Sequence, residues 1–238
     1  CPNRAECWRL GTATLMIGGN ICTRHCRFCN TPSGRPLPLD GDEPQRVAES
    51  VKEMNLKYVV LTSVDRDDLP DMGAEHWRQT VEAVRQLCPA KIEVLLPDFQ
   101  GRDDLMDIVL LSRPDVVAHN IETVRRLTPV VRSVATYEGS LHVLRHIHEQ
   151  GFVVKSGLML GLGETEAEVL QTLRDLRDSG VDRVTIGQYL QPTAHHLPVA
   201  AYIAPDKFRW YRDQALQMGF RSVVSGPLVR SSYKAGMD

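Results

Sequence analysis

At 238 residues, 42% hydrophobic and 24% charged, the chain has ordinary globular composition and enough apolar surface to offset the entropy of ordering it. Its 28 basic against 30 acidic residues give a net charge of −2, which excludes the strong basic field of a nucleic-acid binder. No apolar run approaches the roughly 18 residues of a membrane helix and no signal-peptide pattern opens the chain. No membrane partner is expected, and the expected location is cytoplasmic, or organellar if the source is a eukaryote.

The first twenty-nine residues hold five of the six cysteines. A chain this long builds a core without disulfide staples, so a cluster at one end reads as metal or redox chemistry. Because residue 1 is Cys1, the numbering is expected to begin inside a longer chain. After an extension over 1–12, β-branched and aliphatic runs predict strands at 13–17, 58–62, 92–96, 116–119, 153–159 and 184–190. Amphipathic helices are predicted between and after them at 43–54, 73–87, 103–111, 138–150, 164–179 and 205–218. In the first, Val47, Val51 and Met54 share a face that Glu49, Lys52 and Glu53 avoid. Thr165 and Glu168 resemble a capping box, and Gly151 and Gly180 look like helix exits.

Six strand-then-helix units in series imply an α/β protein with a mainly parallel sheet and helical crossovers. Eight would make a full barrel of about 250 residues, so a partial (β/α)6 TIM-like barrel fits better. No Gly-x-Gly-x-x-Gly follows the first strand to favour a dinucleotide fold. The Pro-rich stretch 32–44 reads as a loop. One domain results, with the barrel over 13–220, a short N-terminal extension over 1–12 and a C-terminal segment over 221–238.

Beyond the first strand, Gly18-Gly19 leads into Cys22, Cys26 and Cys29, with three residues and then two between the cysteines. Three thiolates on one loop are one short of the four that close a zinc site or an electron-transfer cluster. A four-iron cluster held by three thiolates keeps one iron open for the amino and carboxylate groups of S-adenosylmethionine. Electron transfer into its sulfonium then releases a 5′-deoxyadenosyl radical. Phe28 is placed to shield such a cluster from solvent. The alternative is a zinc knuckle completed by Cys7 or His25. Cys1 and Cys7, upstream, suggest part of a second centre, and Cys88 reads as a small buried hydrophobe.

Other candidates fall at strand ends. Asp65, with Asp67 and Asp68 beside it, is either a solvated turn or a group for the ammonium of S-adenosylmethionine; Asp71 reads as part of a helix start. Asn120 and Glu122 suit ribose hydroxyls or amino groups. Gly157 and Gly161 permit close approach of a flat ring such as adenine, with a tight turn as the equal alternative. Gln188 and Tyr189 stand to complete that side. The pair His195-His196 reads as surface or substrate contact in preference to a metal site, and Arg24, Arg27 and Arg66 as solvated or facing an acidic partner.

With these residues in place, the sequence resembles the lipoyl synthase family of radical S-adenosylmethionine (radical SAM) enzymes. The resemblance rests on the triplet Cys22, Cys26 and Cys29, and on Thr62-Ser63-Val64-Asp65-Arg66-Asp67-Asp68-Leu69-Pro70-Asp71. It continues through His119-Asn120-Ile121-Glu122-Thr123, Lys155-Ser156-Gly157, Gly161-Leu162-Gly163-Glu164-Thr165, Gly187-Gln188-Tyr189 and Arg230-Ser231-Ser232-Tyr233. It implies two 4Fe-4S clusters, with the auxiliary one bound by Cys1, Cys7 and Ser232, or less readily Ser231, and by a further cysteine five residues ahead of Cys1. A serine alkoxide is a poor match for iron, which suits a cluster consumed as sulfur donor. A chain starting at Cys1 is then expected to hold the radical cluster well and the auxiliary one poorly. The resemblance adds Ser63 and Lys155 to the S-adenosylmethionine contacts. It implies sulfur insertion at C6 and C8 of an octanoyl group on a lipoyl carrier domain, of the glycine-cleavage H protein or 2-oxoacid dehydrogenase E2 type. A flavodoxin or ferredoxin would supply electrons. The rival readings are a biotin-synthase-like radical sulfur inserter and a non-catalytic zinc-binding β/α protein.

Overall fold

The computed structural model describes residues 1–237. In chain order it contains α1 (Arg4–Arg9), β1 (Thr12–Ile17), α2 (Glu43–Glu53), β2 (Tyr58–Ser63), α3 (Ala74–Leu87), β3 (Lys91–Leu95), α4 (Asp103–Leu110) and β4 (Val116–Ala118). There follow α5 (Thr128–Val131), α6 (Tyr137–Glu149), β5 (Val154–Leu160), α7 (Glu166–Asp178), β6 (Arg183–Gln188), α8 (Pro205–Gln217) and β7 (Ser222–Gly226). Single 3-10 turns occur at Phe99–Gly101 and Ala235–Met237. The strands form one sheet in the order β1 to β7. This is an α/β fold of the partial-barrel type.

All six predicted strand–helix units are present within two residues of their expected limits. The structure adds β7 inside the expected C-terminal segment. Only two aliphatic residues, Val223 and Val224, mark it, and every one of its positions is half-buried, so it lacks the apolar run of a central strand. Helix α1 also lies outside the expected elements; it is a six-residue turn-and-a-half with no buried residue.

The chain divides into two compact units. The first comprises Cys1–Arg24, Thr31–Val117 and the residues from Lys234, and the second His25–Asn30 and Ala118–Tyr233. In the first, β1, β2 and β3 pair in parallel, with Ala13 opposite Val59 and Val59 opposite Ile92. The first four residues of β2 are all buried, as expected of a strand covered on both faces. Trp77 and Val81 of α3 and Val51 of α2 are buried in the same unit. Two residues ahead of the Gly73 N-cap of α3, the Asp71 carboxylate accepts from Gly73 N at 3.0 Å and Glu75 N at 3.1 Å, as a helix-start residue would.

In the second unit β5, β6 and β7 pair in parallel. The connection from β6 to α8 folds back onto the end of β5. Ala200 N donates to Gly161 O at 2.8 Å, and the Gln188 amide donates to the Tyr189 and Ala201 carbonyls, each at 3.0 Å. Gln188 Oε1 accepts from Ile203 N at 2.9 Å, and the Tyr189 hydroxyl donates to Leu197 O at 2.7 Å. Gly161 has φ +99, and a Cβ there would collide with Gln188 Nε2 and the Ala201 carbonyl oxygen. Only glycine admits that backbone.

Helix α7 starts with the anticipated capping box. Thr165 Oγ1 accepts from Glu168 N at 3.3 Å, and the Glu168 carboxylate accepts from Thr165 N at 2.8 Å. Arg126 adds bonds of 2.6 and 2.9 Å to the same carboxylate. Arg126 first, and then Thr165 N, pull its pKa down to about 2.

Two outcomes follow from these contacts. Gly161→Ala loses about 1–3 kcal/mol of stability through backbone strain and the clash, read as a lower denaturant midpoint; a loss of a few tenths would contradict the close packing. Glu168 is depressed in the folded state, so its contribution is present above the unfolded value of about 4.3 and fades as pH falls toward the folded value. Glu168→Gln should therefore be less stable than the parent at pH 7, with the gap narrowing as denaturation is repeated from pH 5 toward pH 3.

Candidate functional site

The cysteine loop leaves β1 through Gly18 and Gly19, whose φ values of +79 and +97 require residues without a side chain. Gly18 N donates to Glu43 Oε2 at 2.7 Å, and the same oxygen meets His76 Nε2 at 2.5 Å. Thus α2 and α3 both hold the exit from β1. Cys22 is then pinned through its backbone, with its N–H on Pro32 O at 2.8 Å and its carbonyl accepting from Gly34 N at 2.9 Å.

The strongest anchor is Arg24, whose side chain is only 3% exposed. Its Nε and Nη2 fork onto Asp67 at 2.7 and 2.8 Å, Nη2 also reaches Asp98 at 2.7 Å, and Nη1 lies 3.4 Å from Asp65. Burial alone would weaken the guanidinium, but the Asp67 and Asp98 bonds outweigh it and hold its pKa well above the usual arginine value. Burial pushes Asp65 up while Arg24 pulls against it; at Asp67 burial is outweighed by the Arg24 bonds and the carboxyl falls below its usual range. Arg24 therefore corrects the expectation of a solvated or partner-facing charge. So does Arg66, which is buried on Asp68 at 2.8 and 2.9 Å and donates to Gly18 O and Leu37 O. Of the three, only Arg27 is exposed.

The sequence leaves Asp65 either solvated or facing the cofactor ammonium. Asp65 faces inward: Cys22 Sγ donates to its Oδ2 at 3.6 Å, and Thr23 N and Oγ1 donate to its carbonyl at 3.1 and 3.0 Å. The Cys22 sulfur accepts from Arg24 N at 3.4 Å and Asp65 N at 3.3 Å. Burial raises the Cys22 thiol above its ordinary value, and those two N–H groups oppose it. Ser63 ends β2, half-buried and paired with Ile17.

The segment His25–Asn30 is anchored in the second unit. Ser133 Oγ accepts from His25 N at 3.1 Å and lies 3.7 Å from Cys26 Sγ. Arg27 N donates to Val131 O at 2.9 Å, and Arg27 O accepts from Leu197 N at 3.2 Å. His196 Nε2 meets Cys29 O at 2.9 Å, with Thr193 Oγ1 on its Nδ1 at 2.8 Å. His196 thus holds the cysteine loop, where the sequence suggests a surface or substrate-contact role. Ser133 carried no signal at all: it is one serine 107 residues from its partner. Cys26 and Phe28 are half-buried and Cys29 is exposed.

Also in the second unit, Asn120 and Glu122 follow β4. Glu122 has φ +68, pairs its backbone with β5 and carries a carboxyl that burial raises, against the pull of Arg132 and Asn120. Lys155 is buried on β5. Gly157 leaves room for Thr185 and Asn120 where a Cβ would crowd both. Gly161, Gln188 and Tyr189 are the residues expected on the adenine side. The polar atoms of Gln188 and Tyr189, and the open space at Gly161, are taken up by the chain's own β6–α8 connection. Cys1 and Cys7 belong to the first unit, exposed and half-buried, and Ser231 and Ser232, both half-buried, to the second. Cys88 is half-buried, its thiol on Val84 O at 3.4 Å, as suits a packing residue.

All six cysteines are free thiols. Among the described residues no three His, Cys, Asp or Glu side chains gather as ligands of one metal ion. A four-iron cluster takes each thiolate on a different iron, so three free thiols along one eight-residue loop, one of them already met by two N–H donors, are a donor set that fits it.

Comparison with known proteins agrees with this chemistry. The model of the radical SAM superfamily matches residues 16–176. A lipoyl synthase of Parabacteroides distasonis is 58% identical over 99% of this chain and 84% of its own length. One from Treponema denticola is 56% identical over 99% and 81%. Among solved structures, methylornithine synthase superposes with a TM-score of 0.68 at 16% identity, covering 94% of this chain and 76% of that one. Streptococcus suis SuiB bound to S-adenosylmethionine does so with a TM-score of 0.71 at 12% identity, covering 89% and 49%. At those identities the structural likeness speaks for the fold alone. The sequence identity reaches further: this chain belongs to the radical SAM superfamily and, within it, to the lipoyl synthase family.

Proposed function

We propose that the protein inserts two sulfur atoms, at C6 and C8, into an octanoyl chain carried on a lysine of a lipoyl carrier domain, making the lipoyl group. The observation that carries this reading is identity of 58% along 99% of the chain with a lipoyl synthase. Membership of the superfamily implies S-adenosylmethionine and one 4Fe-4S cluster. Cys22, Cys26 and Cys29 would hold that cluster. An auxiliary cluster would draw on Cys1, Cys7 and Ser232. When bound, these groups supply hydrogen abstraction from an unactivated carbon and the sulfur that replaces the hydrogen.

The chain's own residues keep the loop in place. Arg24 fixes its first half on Asp67 and Asp98, while Ser133 and His196 fix its second half by Cys26 and Cys29. Phe28, half-buried beside Cys29, would limit water at the thiolates. Asn120, Glu122 and Lys155 offer polar groups in the second unit for S-adenosylmethionine, and Ser63 one in the first. The partner would be the octanoylated carrier domain, of the glycine-cleavage H protein or 2-oxoacid dehydrogenase E2 type, with a flavodoxin or ferredoxin as electron source. No helix among the described residues is long and apolar enough to cross a membrane.

The test is anaerobic reconstitution with iron and sulfide, followed by reduction with S-adenosylmethionine and an octanoyl-lysyl peptide. The expected product is 5′-deoxyadenosine and, in a chain that carries the cysteine ahead of Cys1, a lipoylated peptide, with two 5′-deoxyadenosines per lipoyl group. Zinc without iron, or no 5′-deoxyadenosine, would overturn the proposal. Cys22→Ala, Cys26→Ala and Cys29→Ala should each lower 5′-deoxyadenosine formation at least a hundredfold, whereas Cys88→Ala leaves it near the parent rate. Ser232→Ala should keep cleavage of S-adenosylmethionine and lose sulfur insertion.

A further inference from the structure

Cys22 is treated differently from the other two thiols of its loop. Its sulfur accepts backbone N–H groups of Arg24 at 3.4 Å and Asp65 at 3.3 Å, and lies 3.6 Å from Asp65 Oδ2. The aspartate's main chain is fixed, and Arg24 holds its carboxylate. Thr23 N and Oγ1 bind its carbonyl at 3.1 and 3.0 Å, and Arg24 Nη1 lies 3.4 Å from its other carboxylate oxygen. Arg24 directs its shorter bonds elsewhere, at 2.7 and 2.8 Å to Asp67 and 2.7 Å to Asp98. One guanidinium therefore faces three carboxylates, and Asp65, with the longest contact, is the least neutralised of them.

Hydrogen bonds and charge at a ligand sulfur set the potential of an iron–sulfur cluster. One-electron reduction by an external donor adds one negative charge to the cluster. N–H groups at the sulfur favour that step and a carboxylate opposes it, more strongly in a part-buried site than in water. We propose that Asp65 is a positioning residue acting through Cys22, whose anchored carboxylate holds down the reduction potential of the radical cluster. The inference rests on Cys22 being a cluster ligand, and gives Asp65 a task distinct from the direct cofactor contact that the sequence suggests.

The test is an anaerobic, EPR-monitored redox titration of the reconstituted full chain, following the signal that responds to added S-adenosylmethionine. Asp65→Asn should raise the midpoint, making the reduced-to-oxidised ratio about tenfold larger at a fixed potential, about 59 mV for one electron. Asp65→Glu, which keeps the charge, should return most of the way to the parent value. Asp68→Asn, on the same turn but paired with Arg66, should leave it unchanged. A variant that loads less iron is still informative, because the midpoint is read on the clusters that form. An unchanged or lowered midpoint in Asp65→Asn, or an equal rise in Asp68→Asn, would overturn the proposal. A parent chain that binds no iron would overturn the cluster reading and the inference together, and is told apart by the missing signal.

Discussion

Arg24 fastens the cysteine loop to the ends of β2 and β3, and the order of that loop depends on it. The residue sits two positions after Cys22, so whatever fixes Arg24 also fixes the first thiol. A buried arginine is costly unless every donor finds a partner. Here the fork onto Asp67 and the reach to Asp98 use the planar geometry that lysine lacks. Breaking such a pair from one side typically costs about 3–5 kcal/mol, because the remaining charges stay buried without compensation. The network is thus less a source of net stability than a device for holding one arrangement.

The rest of the loop is held by many weaker bonds, mostly to main chain. Val131 O, Leu197 N and Cys29 O take part regardless of their side chains, while Ser133 and His196 add the two side-chain anchors. The β6–α8 connection that carries His196 is itself fixed by Gln188, Tyr189 and Gly161. Residues at strand ends therefore divide between two duties. Some would face ligands, and others shape the loops that carry such residues. Gln188 and Tyr189 perform the second, bonding to the β6–α8 connection.

Much of this was legible in the sequence because its signals are local. Apolar runs and helical spacing placed all six strand–helix units, and the Thr165/Glu168 pair marked the start of α7. The cysteine triplet is a spacing written in eight residues. What remained hidden depends on long separations or weak patterns. Arg24 and Asp98 are 74 residues apart, and nothing in either neighbourhood marks them as partners. Ser133 and His196 meet the loop from 107 and 167 residues away. Strand β7 was missed because a half-buried edge carries no continuous apolar run. The glycine at 161 was correctly read as a point of close approach; the approaching atoms are the chain's own, which sequence cannot distinguish from a ligand.

The buried Arg24 network, and not the cysteine spacing alone, orders the loop. Amide hydrogen exchange on the parent and on Arg24→Lys, with thiols reduced and no metal added, tests this most directly. In Arg24→Lys, exchange should be markedly faster at Thr23, Arg24, Asp65 and Asp67, with the central amides of β2 and β5 unchanged. Identical protection of those four amides in the two proteins would contradict it.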